Sequence, residues 1–229
     1  MQIRFCDNIT TNQTEMLLIG SVYLLMSIFS QISFKRQAFK LREDAILDAT
    51  TAILGAKGFD LMTMDDVANT VGISKPSLYK HFKSKEELVG EALIRLIDGA
   101  NDYLAQIDSE LSPAQKLSAV LEWALRVRLD GGMPFLPSTS AHVRDMLTRN
   151  IKYVTKVLLL NGKLEKLVVA AQKEGDLDAA LPSDVILYSY YARTCDPAVE
   201  YLQKFSKMNN DDIVAHMLQV AFYGFRPCP

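Results

Sequence analysis

Four lysines, Lys75, Lys80, Lys83 and Lys85, follow one another with His81 among them, and no acidic residue lies between Asp66 and Glu86. Hydroxyls are interleaved with these cations at Ser74, Ser77 and Tyr79, and Thr63 stands a little upstream. An ammonium group can neutralise a DNA phosphate and release its counterion, or it can donate to the edge of a guanine. A hydroxyl can do either as a donor. Catalysis needs a different arrangement. His81, His142 and His216 fall on unrelated segments, no Gly-x-Ser-x-Gly elbow occurs, and no glycine loop follows a strand pattern, so no catalytic constellation is visible. The plainer alternative for the lysine run is a solvated helix face with His81 closing a turn. The elements that hold these side chains decide between the two.

Three helix starts fall within Thr63–Glu87. Thr63 is placed to cap a helix, with Asp66 as its reciprocal partner and Met64, Val67, Ala68 and Val71 at helical spacing. Gly72 supplies a left-handed turn. Ser74 caps the next helix, Pro76 sits in its first turn, and Leu78 and Phe82 follow at i and i+4. Helix, glycine turn, helix is the helix-turn-helix pattern, whose second helix enters the major groove. Ser84-Lys85-Glu86-Glu87 reads as a capping box opening a third helix whose first amides can face a phosphate. Ahead of these, Leu41, Ala45, Ala49, Ile53 and Ala56 form a helical stripe flanked by Ile46 and Leu54 and ended by Gly58-Phe59.

Thr63-x-x-x-Val67-Ala68, Val71-Gly72-Ile73-Ser74, Leu78-Tyr79-x-His81-Phe82 and Lys83-Ser84-Lys85-Glu86-Glu87-Leu88 resemble the head of TetR-type (TetR/AcrR-like) transcriptional repressors. The resemblance runs from about Leu41 to Ala92, less than a quarter of the chain. It departs at Pro76-Ser77, where the family more often has Gly-Thr, so base preference does not carry over. The resemblance implies double-stranded DNA with a palindromic operator as partner, Thr63, Tyr79, His81 and Lys85 on phosphates, and a homodimer built on the last two helices. Ser74, Lys75, Ser77 and Lys80 complete the expected DNA-binding set, with Lys75 and Ser77 at base edges.

The whole chain has 229 residues, 49% of them hydrophobic, with a net charge of −2 and a pI near 5.9. A non-specific nucleic-acid coat would be more basic, so DNA contact must come from a local patch. Cys6, Cys195 and Cys228 are scattered, which argues against a disulfide framework and a zinc site and suits the cytoplasm. No metal, cofactor or enzyme activity is expected. Met16 to Phe34 is a charge-free apolar run followed by Lys35, Arg36, Lys40 and Arg42. It is long enough to span a bilayer, which leaves a membrane-anchored DNA-binding or scaffolding protein as the alternative. An extra helix docked on the body, or a start codon upstream of the native one, is the favoured explanation.

The periodicity is helical throughout. The expected fold is all-α: an apolar extension over 1–37, a three-helix helix-turn-helix head over 38–86, and a helical effector-binding and dimerisation body over 87–229. A long helix from Ser84 to about Ile107 joins head to body. Ser112-Pro113-Ala114-Gln115 opens the next helix, a short one spans Ser140 to Leu147, and a long one runs from Ile151 to Glu174. One helix from Ser183 to Phe205, with Ile186, Tyr190, Ala192, Cys195, Val199, Leu202 and Phe205 turned mainly inward, and another from Asp211 to Phe225 complete the body. Trp123, Met133, Phe135, His142, Met146 and Tyr153 are candidates to line a pocket for a small, largely apolar effector, against the alternative of ordinary core packing. Tyr191, Val199, Met217, Val220 and Phe222 are the candidate dimer contacts, because the apolar arc of the last helix is wide enough for two partners.

Overall fold

The computed structural model describes residues 7–132 and 141–225, with side chains described over 34–132 and 143–225. Those residues form helices and turns, with no strand among them. The chain divides into two compact units, 1–45 and 46–229. Helix α1, Asp7–Leu61, begins in the first unit and ends in the second, broken at Gly58 where φ is 74°. Of the first unit, the described side chains of residues 34–42 are exposed. The side chains of the apolar run lie outside the described residues, except Phe34 at its end. Among the described residues no helix is long and apolar enough to cross a membrane, and nothing there supports the anchored alternative.

In the second unit the inward face of α1 is Ile46, Ala49, Thr50 and Leu54, with Ile53 at its edge. This shifts the expected stripe by one position, since Ala45 and Ala56, like Leu41 in the first unit, are exposed. Alanine carries little information about which side of a helix is buried. Thr50 is polar, yet its hydroxyl donates to the Ile46 carbonyl at 2.7 Å and so enters the core satisfied.

Helices α2 (Met64–Val71) and α3 (Lys75–Leu78) follow, then α4 (Lys85–Gln106), α5 (Pro113–Leu129), α6 (Ala141–Arg149) and α7 (Ile151–Glu174). Caps account for most boundaries. Ser112 and Gln115 close a reciprocal box at the start of α5, Asn150 accepts the Tyr153 amide before α7, and Gly175 ends that helix. The expected helix from Ser183 to Phe205 is two, α8 (Ser183–Thr194) and α9 (Ala198–Phe205). Pro197 has no amide to continue the ladder, and Asp196 turns its carboxylate onto the Ala198 amide at 3.0 Å, so the chain restarts there. Val199 and Leu202 still face inward after the break, whereas Ala192 and Phe205 are exposed. Helix α10, Asn210–Tyr223, closes the chain behind an Asn209 cap.

One continuous core joins head and body within this unit, from Ile46, Val67, Leu78 and Phe82 through Leu88, Leu93 and Ile97 of α4 to Leu121, Leu125, Leu164 and Ile213. Helix α4 also carries a polar seam to α7, which runs parallel to it. Lys152 Nζ donates to Glu91 at 2.6 Å, Lys156 pairs with Asp98, and Lys163 donates to Asn101 at 2.7 Å. Arg128, with a side chain only 9% exposed, ties α5 to Glu200 of α9 at 2.7 Å and to the Thr194 carbonyl at 3.3 Å.

Candidate nucleic-acid interface

Helix α2 is set by a complete capping box. The Thr63 hydroxyl accepts from the Asp66 amide at 3.1 Å, and the Asp66 carboxylate accepts from the Thr63 amide and hydroxyl at 2.9 Å each. Lys57 adds an ion pair to the same carboxylate at 3.1 Å. These bonds, the Thr63 hydroxyl foremost, hold the Asp66 carboxyl below the usual carboxylate range. Gly72 then turns the chain with φ 73°, its amide reaching back to Ala68 and Asn69, and no Cβ could adopt that conformation cheaply.

Ser74 caps α3, accepting from the Ser77 amide at 3.4 Å. This helix is shorter than Ser74–His81. After Leu78 the chain tightens, with the Lys80 amide on Ser77 and the His81 amide on Leu78. Leu78 and Phe82 anchor the segment in the core, which leaves Ser74, Lys75, Tyr79 and Lys80 exposed along the outside and Ser77 and His81 at its edges.

Ser84 caps α4 by accepting from the Glu87 amide at 3.1 Å, but Glu87 does not return the bond to Ser84. Its carboxylate reaches one residue further and accepts the Lys83 amide at 2.7 Å. The expected box is therefore half of one, with the carboxylate spent on fixing the turn between α3 and α4. Lys85 stands at the first position of α4 with its ammonium 4.3 Å from the centre of the Phe59 ring. That contact ties the start of α4 to the Gly58-Phe59 end of α1.

All eight sequence-proposed residues, Thr63, Ser74, Lys75, Ser77, Tyr79, Lys80, His81 and Lys85, thus belong to one helix-turn-helix and the helix start that follows it. One partner was missed. Lys75 Nζ donates to Asp65 Oδ2 at 2.7 Å, an acid ten positions earlier that the lysine-run count did not include.

The body residues are distributed differently. Trp123 stacks on Tyr103 with ring centroids 5.7 Å apart, and its ring lies where a Cβ on Gly99 would touch it at 3.4 Å. Tyr153 is buried, which raises its phenol above the ordinary value, and Met146 is half-buried. Met133, Phe135 and the side chain of His142 lie outside the described residues. A cavity of about 320 Å³ opens instead between α5, α7, α8 and α10, lined by apolar residues including Leu117, Val168, Ile186 and Phe222, with Asp176, Asp178, Ser189, Tyr190 and Arg193 as polar members. None of Trp123, Met146 and Tyr153 lines it. Tyr191, Val199 and Met217 are buried inside the chain's own core, and Tyr191 donates to Asn161, so these three are not available to a partner in this conformation. Val220 and Phe222 are half-buried, while Val185, Tyr188 and Tyr223 are the exposed large apolar residues of α8 and α10. A wide apolar arc in sequence does not say which of its sides meets the chain's own core.

A capped helix, a left-handed glycine turn and a short helix with a basic outer edge, seated on a helical body, define the helix-turn-helix nucleic-acid-binding class. Residues 46–92 match the family described as bacterial regulatory proteins, tetR family. The HTH-type transcriptional repressor KstR2 of Mycolicibacterium smegmatis is 36% identical over 80 residues, which are 34% of this chain and 39% of that protein. The chain therefore spans about two fifths of that relative's length. Among solved structures, the fatty acid degradation regulator FadR from Bacillus halodurans aligns over 81% of this chain and 96% of its own, with a TM-score of 0.59 at 14% identity. FadR from Bacillus subtilis, solved in complex with stearoyl-CoA, covers 80% of this chain and 98% of its own at 13% identity with a TM-score of 0.55. At such identities these two establish a shared all-helical fold that reaches through the body.

Proposed function

We propose that this chain is a ligand-responsive DNA-binding transcriptional regulator, a repressor that works in the cytoplasm as a homodimer and leaves a palindromic operator when a small, largely apolar effector binds its body. The observation that carries this reading is the head itself: an exposed edge of Lys75, Tyr79 and Lys80 held on the buried Val67, Leu78 and Phe82. Such a helix can enter a major groove while Thr63 and Lys85 take the flanking phosphates. A dimer presents two of these heads about 34–36 Å apart, one turn of duplex, which is why the operator should be palindromic.

Support for the effector comes from the cavity beside α7, whose apolar wall is edged by polar groups, and from the seam that ties α7 to α4. A relative is named a repressor, and a structural neighbour was solved with stearoyl-CoA. An acyl chain would suit the lining of Leu117, Val168 and Ile186. The test is to select fragments from random-sequence duplex DNA with the purified chain and sequence them. An inverted repeat with two half-sites one helical turn apart supports the reading. Failure to enrich any consensus at moderate salt sinks it.

A further inference from the structure

Asp65 is the residue on the recognition surface whose charge opposes its neighbours. It shares the first turn of α2 with Asp66, but the two carboxylates have different duties. Asp66 is consumed by the cap and by Lys57. Asp65 reaches across the Gly72 turn to Lys75 Nζ at 2.7 Å, with side-chain exposures of 58% and 48% for the two partners. The pair is thus at the surface, on the helix expected to read bases. Hydrogen bonding to Asp65, followed by its charge, raises the Lys75 pKa, so the ammonium stays charged at neutral pH.

An ammonium has three donors, and one is occupied here. A lysine at this position without a partner would swing to the nearest phosphate on any duplex. With Asp65 attached, that swing either breaks the pair or drags a carboxylate towards the phosphates, so the net charge offered to random DNA at this point is close to zero. A base edge is a different target. A guanine presents O6 and N7 as adjacent acceptors in the major groove, which match the donors that remain.

We propose that Asp65 is a specificity-determining residue acting through Lys75, withholding its ammonium from DNA phosphates and leaving it for the O6 and N7 acceptors of one guanine in each half-site. The proposal rests on the reading of the head as a sequence-specific DNA binder.

The experiment uses the full chain, a random-sequence duplex and the duplex that wild type enriches, each titrated over salt. Asp65→Asn should bind the random duplex about fivefold more tightly and steepen its log–log salt slope by about 0.9, the value for one added phosphate contact. Binding to the enriched duplex should change less than about twofold, and discrimination against replacing the guanine should fall by about tenfold, the loss of one oriented base contact. Asp65→Glu should behave as wild type, and in a Lys75→Met background Asp65→Asn should change neither slope nor preference. Asp65→Ser, also accepted in a first helical turn, serves if Asp65→Asn loses its far-ultraviolet helical spectrum. Equal tightening on both duplexes would make Asp65 a general charge and overturn the proposal. So would weaker binding to the enriched duplex with no gain on random DNA, which is what mere support of α2 predicts. A wild-type chain that binds no duplex refutes the underlying reading as well. A wild-type consensus with an unchanged Asp65→Asn slope refutes this proposal alone.

Discussion

Gly55 lies inside α1, exposed, where alanine would ordinarily be favoured by about 1 kcal/mol from helix propensity. The structure reverses that sign. A Cβ at Gly55 would stand 2.8 Å from the carbonyl oxygen of Gly131, in the turn that ends α5, so head helix and body touch backbone to backbone. The turn has little room to retreat. Its Gly132 amide donates to the Val127 carbonyl at 2.8 Å, and the Gly131 amide to Arg128 at 3.0 Å. Inserting a methyl group into such a contact costs about 1–3 kcal/mol, which exceeds the propensity gain. Gly55→Ala should therefore be net destabilising by about 1 kcal/mol, a fall of about 2–4 °C in melting temperature for a chain of this size. Gly162 is the internal control. It lies inside α7 with nothing within 4 Å of its added Cβ, so Gly162→Ala should be stabilising by about 0.5–1 kcal/mol. Thermal unfolding followed by circular dichroism compares the two directly, with guanidinium midpoints as a check. If Gly55→Ala raises the melting temperature as Gly162→Ala does, α1 is not seated against the α5 turn and the rigid joint between head and body is refuted.

In the proposed phosphate role of Lys85, whose ammonium sits over Phe59, Lys85→Ala should weaken binding to every duplex alike and reduce the salt slope by about 0.9; a change in base preference at constant slope would refute that role. The Asp66 carboxylate, depressed below 3.8 by its Thr63 bonds, contributes stability wherever the unfolded chain would ionise that group, and loses it as pH falls through the lower folded value. The stability advantage of wild type over Asp66→Ala should then be constant from about pH 7 to 5 and shrink once the pH drops below the unfolded carboxylate value, as read from denaturant midpoints. Tyr188→Glu together with Phe222→Glu should give monomers with unchanged helical content and weakened operator binding, while the same change at the buried Met217 should unfold the chain instead. Sedimentation that finds the Tyr188/Phe222 variant still dimeric would move the interface off α8 and α10.

Local chemistry made much of this fold legible in the sequence. Thr63 with Asp66, Ser112 with Gln115, Gly175 and Asn209 each bound a helix through residues no more than a few positions apart, and the helix-turn-helix is a chain of such signals. What escaped is set by partners distant in sequence or by small ambiguous residues. The Pro197 break was hidden because Val199 and Leu202 keep apolar spacing across it. Asp65 reads as one more acid in a helix start until the Gly72 turn brings Lys75 beside it. Arg128 is an ordinary charge at the end of α5 until α9 packs on it 72 residues later. The cavity is a space between four helices, which no periodicity within any one of them describes.

The parallel seam between α4 and α7 gives the proposed switch a route that packing alone would not. Val168 of α7 lines the cavity, and Lys152 near the start of the same helix grips Glu91, so one rigid element spans about 24 Å at the rise of an α-helix. Glu91 stands only two turns beyond Lys85, the first residue of α4 and a candidate phosphate contact. Surface ion pairs of this kind contribute little to stability singly, but two of them and one hydrogen bond along one interface matter for another reason. They oppose sliding of one helix past the other, since any shift of register must break all of them together. A ligand that tilts α7 at the cavity therefore carries α4 with it, and the start of α4 moves relative to the groove it would touch. By linkage, operator DNA must then weaken that ligand's binding by the factor by which the ligand weakens the operator's.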